Sequence, residues 1–356
     1  MGADMANYVY AGAAPWIAAS KESRTGGLYR LDTAARRWER LTTGLPEGVE
    51  ARCIAVQPGA ADIVYVGTQA GPYRSTDAGR SWSQLKLPGK EQLVWSMLLH
   101  PKDPRTIYVG TQGTTMYRST DGGGSWTELT PPAPKGMVKM SFPCRVIRLA
   151  LDPSNSRQIY AGIEVGGVLR SGDGGDTWEG CNEGLLEFTK VPRLRSRIVS
   201  DTETEGMMDS HALEVSPAQP GTVFLANRMG LFRSDDRGTH WQEIGIGRFS
   251  PLTYARDVKV SRHDPRTMYA ALSVAAVSDE GSLYRSRDLG ETWQRFDHDV
   301  SMKSTLMIIA ESPANSDRVY CATRKGQVFG TEDGGKRWSE YQLPDGVEGV
   351  YGLAVA

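Results

Sequence analysis

One short pattern, Ser-x-Asp-x-Gly-x-x-Trp, returns along the whole of this 356-residue chain. It stands first at Ser75, Asp77, Gly79 and Trp82, then at Asp121, Gly123 and Trp126, and at Asp173, Gly175 and Trp178. Further copies carry Asp236, Gly238 and Trp241, then Asp288, Gly290 and Trp293, and a sixth puts Thr331 ahead of Asp333, Gly335 and Trp338. A seventh, Leu31 to Trp38, keeps only the tryptophan and a displaced Asp32. The Trp-to-Trp steps are 44, 44, 52, 63, 52 and 45 residues. A period of that size marks a repeat architecture whose units bury their faces against each other.

The chemistry of the string is that of a hairpin turn. A Ser or Asp side chain bonds backbone amides within the turn, and Gly takes positive φ without a Cβ penalty. The indole then covers the turn and buries a large apolar area. Turn chemistry accounts for every position, so these aspartates read as folding devices and not as catalysts.

Each box closes a longer unit. Upstream lies an alternating apolar strand such as Ile107-Tyr108-Val109-Gly110, then a Gly-containing turn, then Met116-Tyr117-Arg118. Another strand precedes these and ends near a proline. The step from that proline to the next aliphatic residue is six in Pro58/Val64, Pro101/Ile107, Pro153/Ile159, Pro217/Val223 and Pro313/Val319. Four short strands per unit make a propeller blade. The first unit lacks its first strand, and Val350 to Ala356 reads as a first strand with nothing after it. The expectation is an all-β, seven-bladed β-propeller of four-stranded blades forming one domain over 1–356. One blade would be spliced from about residues 7–42 and 349–356, which removes two open sheet edges. The 40 glycines agree with many turns and disfavour a helical bundle.

These boxes resemble the Asp-box, or bacterial neuraminidase, repeat, and the resemblance covers nearly the whole chain. That repeat occurs in sialidases and other glycoside hydrolases, in sortilin-type receptors and in a photosystem II assembly factor, so it implies architecture and not activity. A sialidase would carry an Arg-Ile-Pro triplet and six blades. This chain has Arg145-Val146-Ile147-Arg148 as its nearest string and seven units, so sialidase residues do not carry over.

Loops between blades, and turns between second and third strands, open on the face opposite the boxes, where ligand sites form at the channel mouth. Two connections there are long, 130–143 and about 181–209, and flank the fourth blade. A third extension, 13–25, carries Trp16. Six residues before the proline position, at the channel entrance, stand Arg52, Trp95, Ile147, His211, Arg256 and Met307, with Tyr351 as counterpart. Glu50, Arg145, Arg148, Asp209, Asp257 and Lys303 lie nearby. Arg52, Arg145, Arg148 and Arg256, with Trp95, form a candidate binding set for a carboxylate, sulfate or phosphate. His211, assisted by Asp209 or Tyr351, is the candidate proton-transfer group. The plain alternative is that these charges pair across blades, and that His211 is a satisfied structural histidine.

Forty-one basic against forty-two acidic residues leave no field to draw the chain to nucleic acid or an anionic membrane. No apolar stretch is long enough to span a bilayer. The amino terminus has no signal-peptide pattern, and four scattered cysteines read as reduced thiols in a cytoplasmic protein. One histidine at the mouth makes no multi-histidine metal site, and no cofactor is expected. Two readings follow: a hydrolase or lyase acting on a small anionic substrate, or a non-catalytic scaffold binding a protein partner. A glycoside hydrolase of the same repeat superfamily is a third. Under the scaffold reading Met137, Met140, Phe142, Leu185, Leu186 and Phe188 should form an exposed apolar patch.

Overall fold

The computed structural model describes residues 8–15, 26–90 and 92–356; Trp16 lies outside them. The strands form seven four-stranded antiparallel sheets. Blade one is the spliced one: Val350–Val355 pairs with Tyr8–Ala13, which continues into Gly27–Asp32 and Arg37–Leu41. Blades two to seven follow in chain order, with innermost strands Ala51–Gln57, Val94–Leu99, Val146–Asp152, Ser210–Val215, Tyr254–Val260 and Leu306–Glu311. Each innermost strand touches the next, and Leu306–Glu311 meets Val350–Val355, which meets Ala51–Gln57. The ring is closed.

The box turns fold as their residues require. Ser75 Oγ donates to Asp77 Oδ1 at 2.7 Å and accepts from the Gly79 amide at 2.7 Å. Asp77 also takes the Ser81 amide and hydroxyl at 2.9 and 2.6 Å. The amide bond recurs at Asp121, Asp173, Asp236, Asp288 and Asp333, with His240 Nδ1 and Arg337 Nε taking the place of the hydroxyl at Asp236 and Asp333. The degenerate turn keeps a reduced version, in which Asp32 accepts from Ala34 and Ala35.

Adjacent blades are stapled through these turns. The second strand of each blade carries a buried aromatic ring at one shared position: Tyr10, Tyr65, Tyr108, Tyr160, Phe224, Tyr269 and Tyr320. Tyr10 and Tyr108 each donate to a carbonyl in the following blade's box, Ala78 and Gly174, at 2.9 Å. The arginine of the third strand reaches the same place: Arg118 to Gly174, Arg170 to Arg237, Arg285 to Gly334. Blade seven has Gly330 there, and the box it faces is the degenerate one. That seam is held instead by Trp38 Nε1 on the Tyr341 carbonyl and by Arg36 on the Glu340 carbonyl. Apolar side chains fill the wedges between blades, as where Leu185, Leu213, Leu225 and Phe232 meet Tyr160 and Val168 between blades four and five.

One irregularity repeats seven times. In blade two Ala51 pairs with Thr68 and Cys53 with Gly67, so Arg52 has no opposite residue. The same slip falls at Trp95, Ile147, His211, Arg256, Met307 and Tyr351. A bulge bends its strand and re-aims the extra residue's side chain. All seven bulged residues line the central channel at one end, while Pro58, Pro101, Pro153 and Pro217 line it at the other.

Candidate functional site

The channel holds a cavity of about 630 Å³. Of the residues singled out in the sequence, Arg52, Trp95, Arg148, His211, Arg256 and Tyr351 line it. Arg145 and Asp209 stand behind that lining, and Lys303 contributes to the surroundings only through its amide, bonded to Gln327.

Most of the charges are already matched. Arg52 pairs with Glu50 at 2.8 Å, Arg145 with Glu164 at 2.8 Å, and Arg228 with Asp209 at 3.2 Å. Arg148 crosses from blade four to Asp257 in blade six at 2.8 Å. The second oxygen of Asp257 accepts the Ile309 amide of blade seven, so this pair ties three blades beneath the mouth. The expected four-arginine clamp is therefore narrower: Arg52, Arg145 and Arg148 each have a carboxylate partner, and Arg256 forms none of the described ion pairs. Arg256 lies in the field of Tyr254, Tyr351, Asp209 and Glu164.

Arg52 and Arg145 both stack on one aromatic platform, 4.8 and 4.4 Å from Trp95, which meets Tyr351 edge-on at 5.5 Å. Aromatic faces hold cations by their quadrupole, which keeps two guanidinium groups adjacent in spite of repulsion. Burial lowers the Arg145 proton affinity, with Arg52 and Arg256 adding to the effect. Burial likewise pushes the Tyr351 hydroxyl up to about 12, so it is a donor at neutral pH.

His211 is enclosed, its side chain 2% exposed. Nδ1 is 2.7 Å from the Ala255 carbonyl, which can only accept, so Nδ1 carries the proton. Nε2 faces Asp209 at 3.3 Å and the Tyr254 hydroxyl at 3.4 Å. Burial, joined by the charge of Arg256, lowers the imidazole's affinity for a second proton. Asp209, held by His211 and Arg228 against the cost of burial, stays near 2 and ionised. The remaining described histidine contacts are structural: His100 Nδ1 accepts the Asp103 amide, His263 bonds the Ser312 carbonyl, and His240 bonds Asp236 inside a box.

Glu164 was not foreseen. It follows the strand Asn155–Ile163 directly, where its equivalents are Gln69, Gln112, Arg228 and Arg324. Aligning that position across units, as was done for the inner strands, singles out Glu164 as its carboxylate. Burial pushes it up to about 7 against the pull of Arg145.

Buried polar atoms almost always find a partner. Among the described residues, six buried side-chain atoms at this mouth have none: Arg52 Nε and Nη1, Trp95 Nε1, Arg145 Nε, Arg148 Nε and Glu164 Oε2. Five of the six are donors.

The long connections pack down beside the mouth. Asn182 Nδ2 bonds the Lys135 carbonyl at 2.8 Å and Lys135 pairs with Glu183 at 2.9 Å, joining the two. The second contains the helices Glu183–Phe188 and Glu205–Met208. Its far end wraps a fully buried Glu205, whose carboxylate accepts the Ile198 and Ser200 amides at 2.9 Å. Arg193 pairs with Glu243, and Arg195 and Arg197 with Glu203, so the basic run belongs to a solvated face. Leu185 is buried, and Met137, Met140, Leu186 and Phe188 pack on the core; none of them forms the exposed patch.

Fold and mouth together define a class: a seven-bladed propeller whose channel is ringed at one end by a charged, unsymmetrical set of bulged residues. A family model described as sortilin, neurotensin receptor 3, matches residues 71–179 and 281–354, just over half of the chain, and the chain belongs to that Sortilin-Vps10 family. The xyloglucanase Xgh74A of Acetivibrio thermocellus is 26% identical over 172 residues, 41% of this chain. That match spans 19% of the xyloglucanase. The GH74 xyloglucanase from Xanthomonas campestris superposes with a TM-score of 0.65 at 16% identity, over 87% of this chain and 47% of that one. YCF48 from Cyanidioschyzon merolae gives 0.58 at 14% identity, over 86% and 89%. YCF48 bound to D1 peptide gives 0.54 at 19% identity, over 86% and 85%. These superpositions are likenesses of fold. No described helix is long and apolar enough to cross a membrane, and the described residues contain no group of three or more His, Cys, Asp or Glu able to hold a metal ion.

Proposed function

We propose that the protein is a small-molecule enzyme, a hydrolase or lyase, that binds an anionic substrate in the channel mouth. Arg256 and Arg52 hold the anion, Trp95 and Tyr351 flank it, and His211 with Asp209 moves the proton. Arg145 and Arg148 act as positive walls beside them; Arg52 is paired too, with Glu50, but keeps two buried donors, Nε and Nη1, without a partner. The observation that carries this reading is the set of buried donors without partners on Arg52, Trp95, Arg145 and Arg148. An acceptor-rich ligand satisfies them, whereas a cation or an apolar ligand leaves them unmatched. The xyloglucanase likeness adds glycosides to the substrates worth testing.

A second reading is favoured by one specific observation: the YCF48 chains match this one over most of both lengths, and one of them carries a bound peptide. Under it the same mouth holds a carboxylate of a protein partner and nothing is turned over.

The experiment is a screen of carboxylated, sulfated, phosphorylated and glycosidic compounds for both turnover and binding, with Arg256→Gln and His211→Gln beside the wild type. Turnover lost in both variants supports the enzyme. Binding that needs Arg256 but not His211, without turnover, supports the scaffold. Binding and turnover indifferent to Arg256 sink the site.

A further inference from the structure

Glu164 stands at the mouth with a carboxylate that is half satisfied and buried. Its amide bonds the Arg145 carbonyl at 2.9 Å and its Oε1 accepts from Arg145 Nη1 at 2.8 Å, so the side chain is held in place. Its Oε2 is buried without a partner. An ionised carboxylate is an acceptor at both oxygens, so an unmatched buried oxygen penalises the charged form most. The groups that face it come from four directions: Arg145 and Cys144 from the connection ahead of blade four, Asp209 from blade five, Arg256 from blade six and Tyr351 from blade one. Burial and Asp209 favour the acid, Arg145 and Arg256 favour the anion, and the balance lies close to neutrality.

We propose that anion binding and protonation of Glu164 are one event: an anion seated on Arg256 and Arg52 draws a proton from solvent onto Oε2 of Glu164. The bound charge cancels the cationic field that keeps Glu164 ionised, and a nearby like charge raises a carboxyl's proton affinity. Protonation turns Oε2 from an unmatched acceptor into a donor, the same kind of group as the other unpartnered atoms of the mouth. His211 is the poorer acceptor of that proton, because burial and the charge of Arg256 resist a second charge on the ring. This inference rests on the anion-binding reading above and gives that site its proton stoichiometry.

The test titrates the carboxyl groups of protein carrying 13C-labelled glutamate, alone and with sulfate, phosphate or benzoate, while calorimetry follows binding of the same three anions. The expected result is one carboxyl with a midpoint near 7, absent in Glu164→Gln and displaced in Glu164→Asp, which keeps the charge. A binding anion should raise that midpoint by about one unit, and the rise should vanish in Arg256→Gln. If the carboxyl titrates in the ordinary range, about 4.3, the inference falls. It falls equally if the midpoint ignores an anion whose Arg256-dependent binding calorimetry records, and in both cases the anion site itself survives. If none of the three anions binds in an Arg256-dependent way, the anion reading falls and takes this inference with it.

Discussion

The two ends of the ring are built from the same seven units, yet they treat polar atoms in opposite ways. At the box end each turn repeats one set of bonds, and Asp77, Asp121 and Asp173 have both oxygens engaged within their own eight residues. At the mouth the seven bulges repeat, but their side chains are Arg, Trp, Ile, His, Arg, Met and Tyr, and the buried atoms without partners gather around them. Regular chemistry at regular positions is scaffold. Irregular chemistry at regular positions, held in buried places that do not satisfy it, is the basis of the proposed ligand site. The bulge is the shared backbone device that allows one fold to do both.

That contrast can be broken or sharpened by experiment. The largest effect should come from the part of the mouth that is structural: Asp257→Asn removes the partner of Arg148 and should cost about 3–5 kcal/mol in urea unfolding, as for other broken buried pairs. Next is the box end. A Cβ on Gly335 would sit 2.2 Å from Phe296 Cε2 at a φ of +93°, so Gly335→Ala should lose about 3 kcal/mol. Arg256→Gln should do the reverse of both, leaving the urea midpoint nearly unchanged while weakening anion binding at least tenfold, about 1.4 kcal/mol by calorimetry. A loss of fold in that variant would mean Arg256 is structural after all.

The two ends should also answer pH with opposite signs. Glu164 is raised in the folded state, so its contribution is present below the ordinary glutamate range and disappears as pH rises through about 7. Thermal stability should fall over that interval, and Glu164→Gln should flatten the slope. The box aspartates Asp77, Asp236 and Asp333 are held near 2 by their turn hydrogen bonds, with burial opposing. Their contribution is present above the ordinary aspartate range and is lost as pH falls toward 2. These groups lie near the surface, so this should be the smallest effect, seen as a Tm decline confined to strongly acid solution.

How much of this was legible beforehand follows the range of the interactions. The boxes, the proline step and the spliced first blade were readable because each depends on residues within one unit or on a count of units. The positions of Arg52, Trp95, His211, Arg256 and Tyr351 at the channel end were readable for the same reason, by aligning units. Their partners were not. Arg145 meets a carboxylate 19 residues away and Arg148 one 109 residues away, and no local pattern announces either. The basic run Arg193 to Arg197 reads as a solvated loop, but its spacing does not name its partners: a buried Glu205 gathers the segment into its own turn, and Glu203 and Glu243 take up its arginines. Glu164 stands one residue after a second strand, outside the inner-strand positions that carry the rest of the mouth.

Seven units, their turns and the order in which they stack were therefore determined by the sequence alone, since hydrogen bonds inside an eight-residue turn and a fixed strand spacing need nothing from elsewhere in the chain. Which charges cancel, which stay unmatched, and which carboxyl is forced toward neutrality were decided only when the ring closed. Closure brings blades one, four, five and six to a common axis and removes water from between them. Desolvation and Coulomb interactions across that axis depend on distances that no stretch of sequence contains.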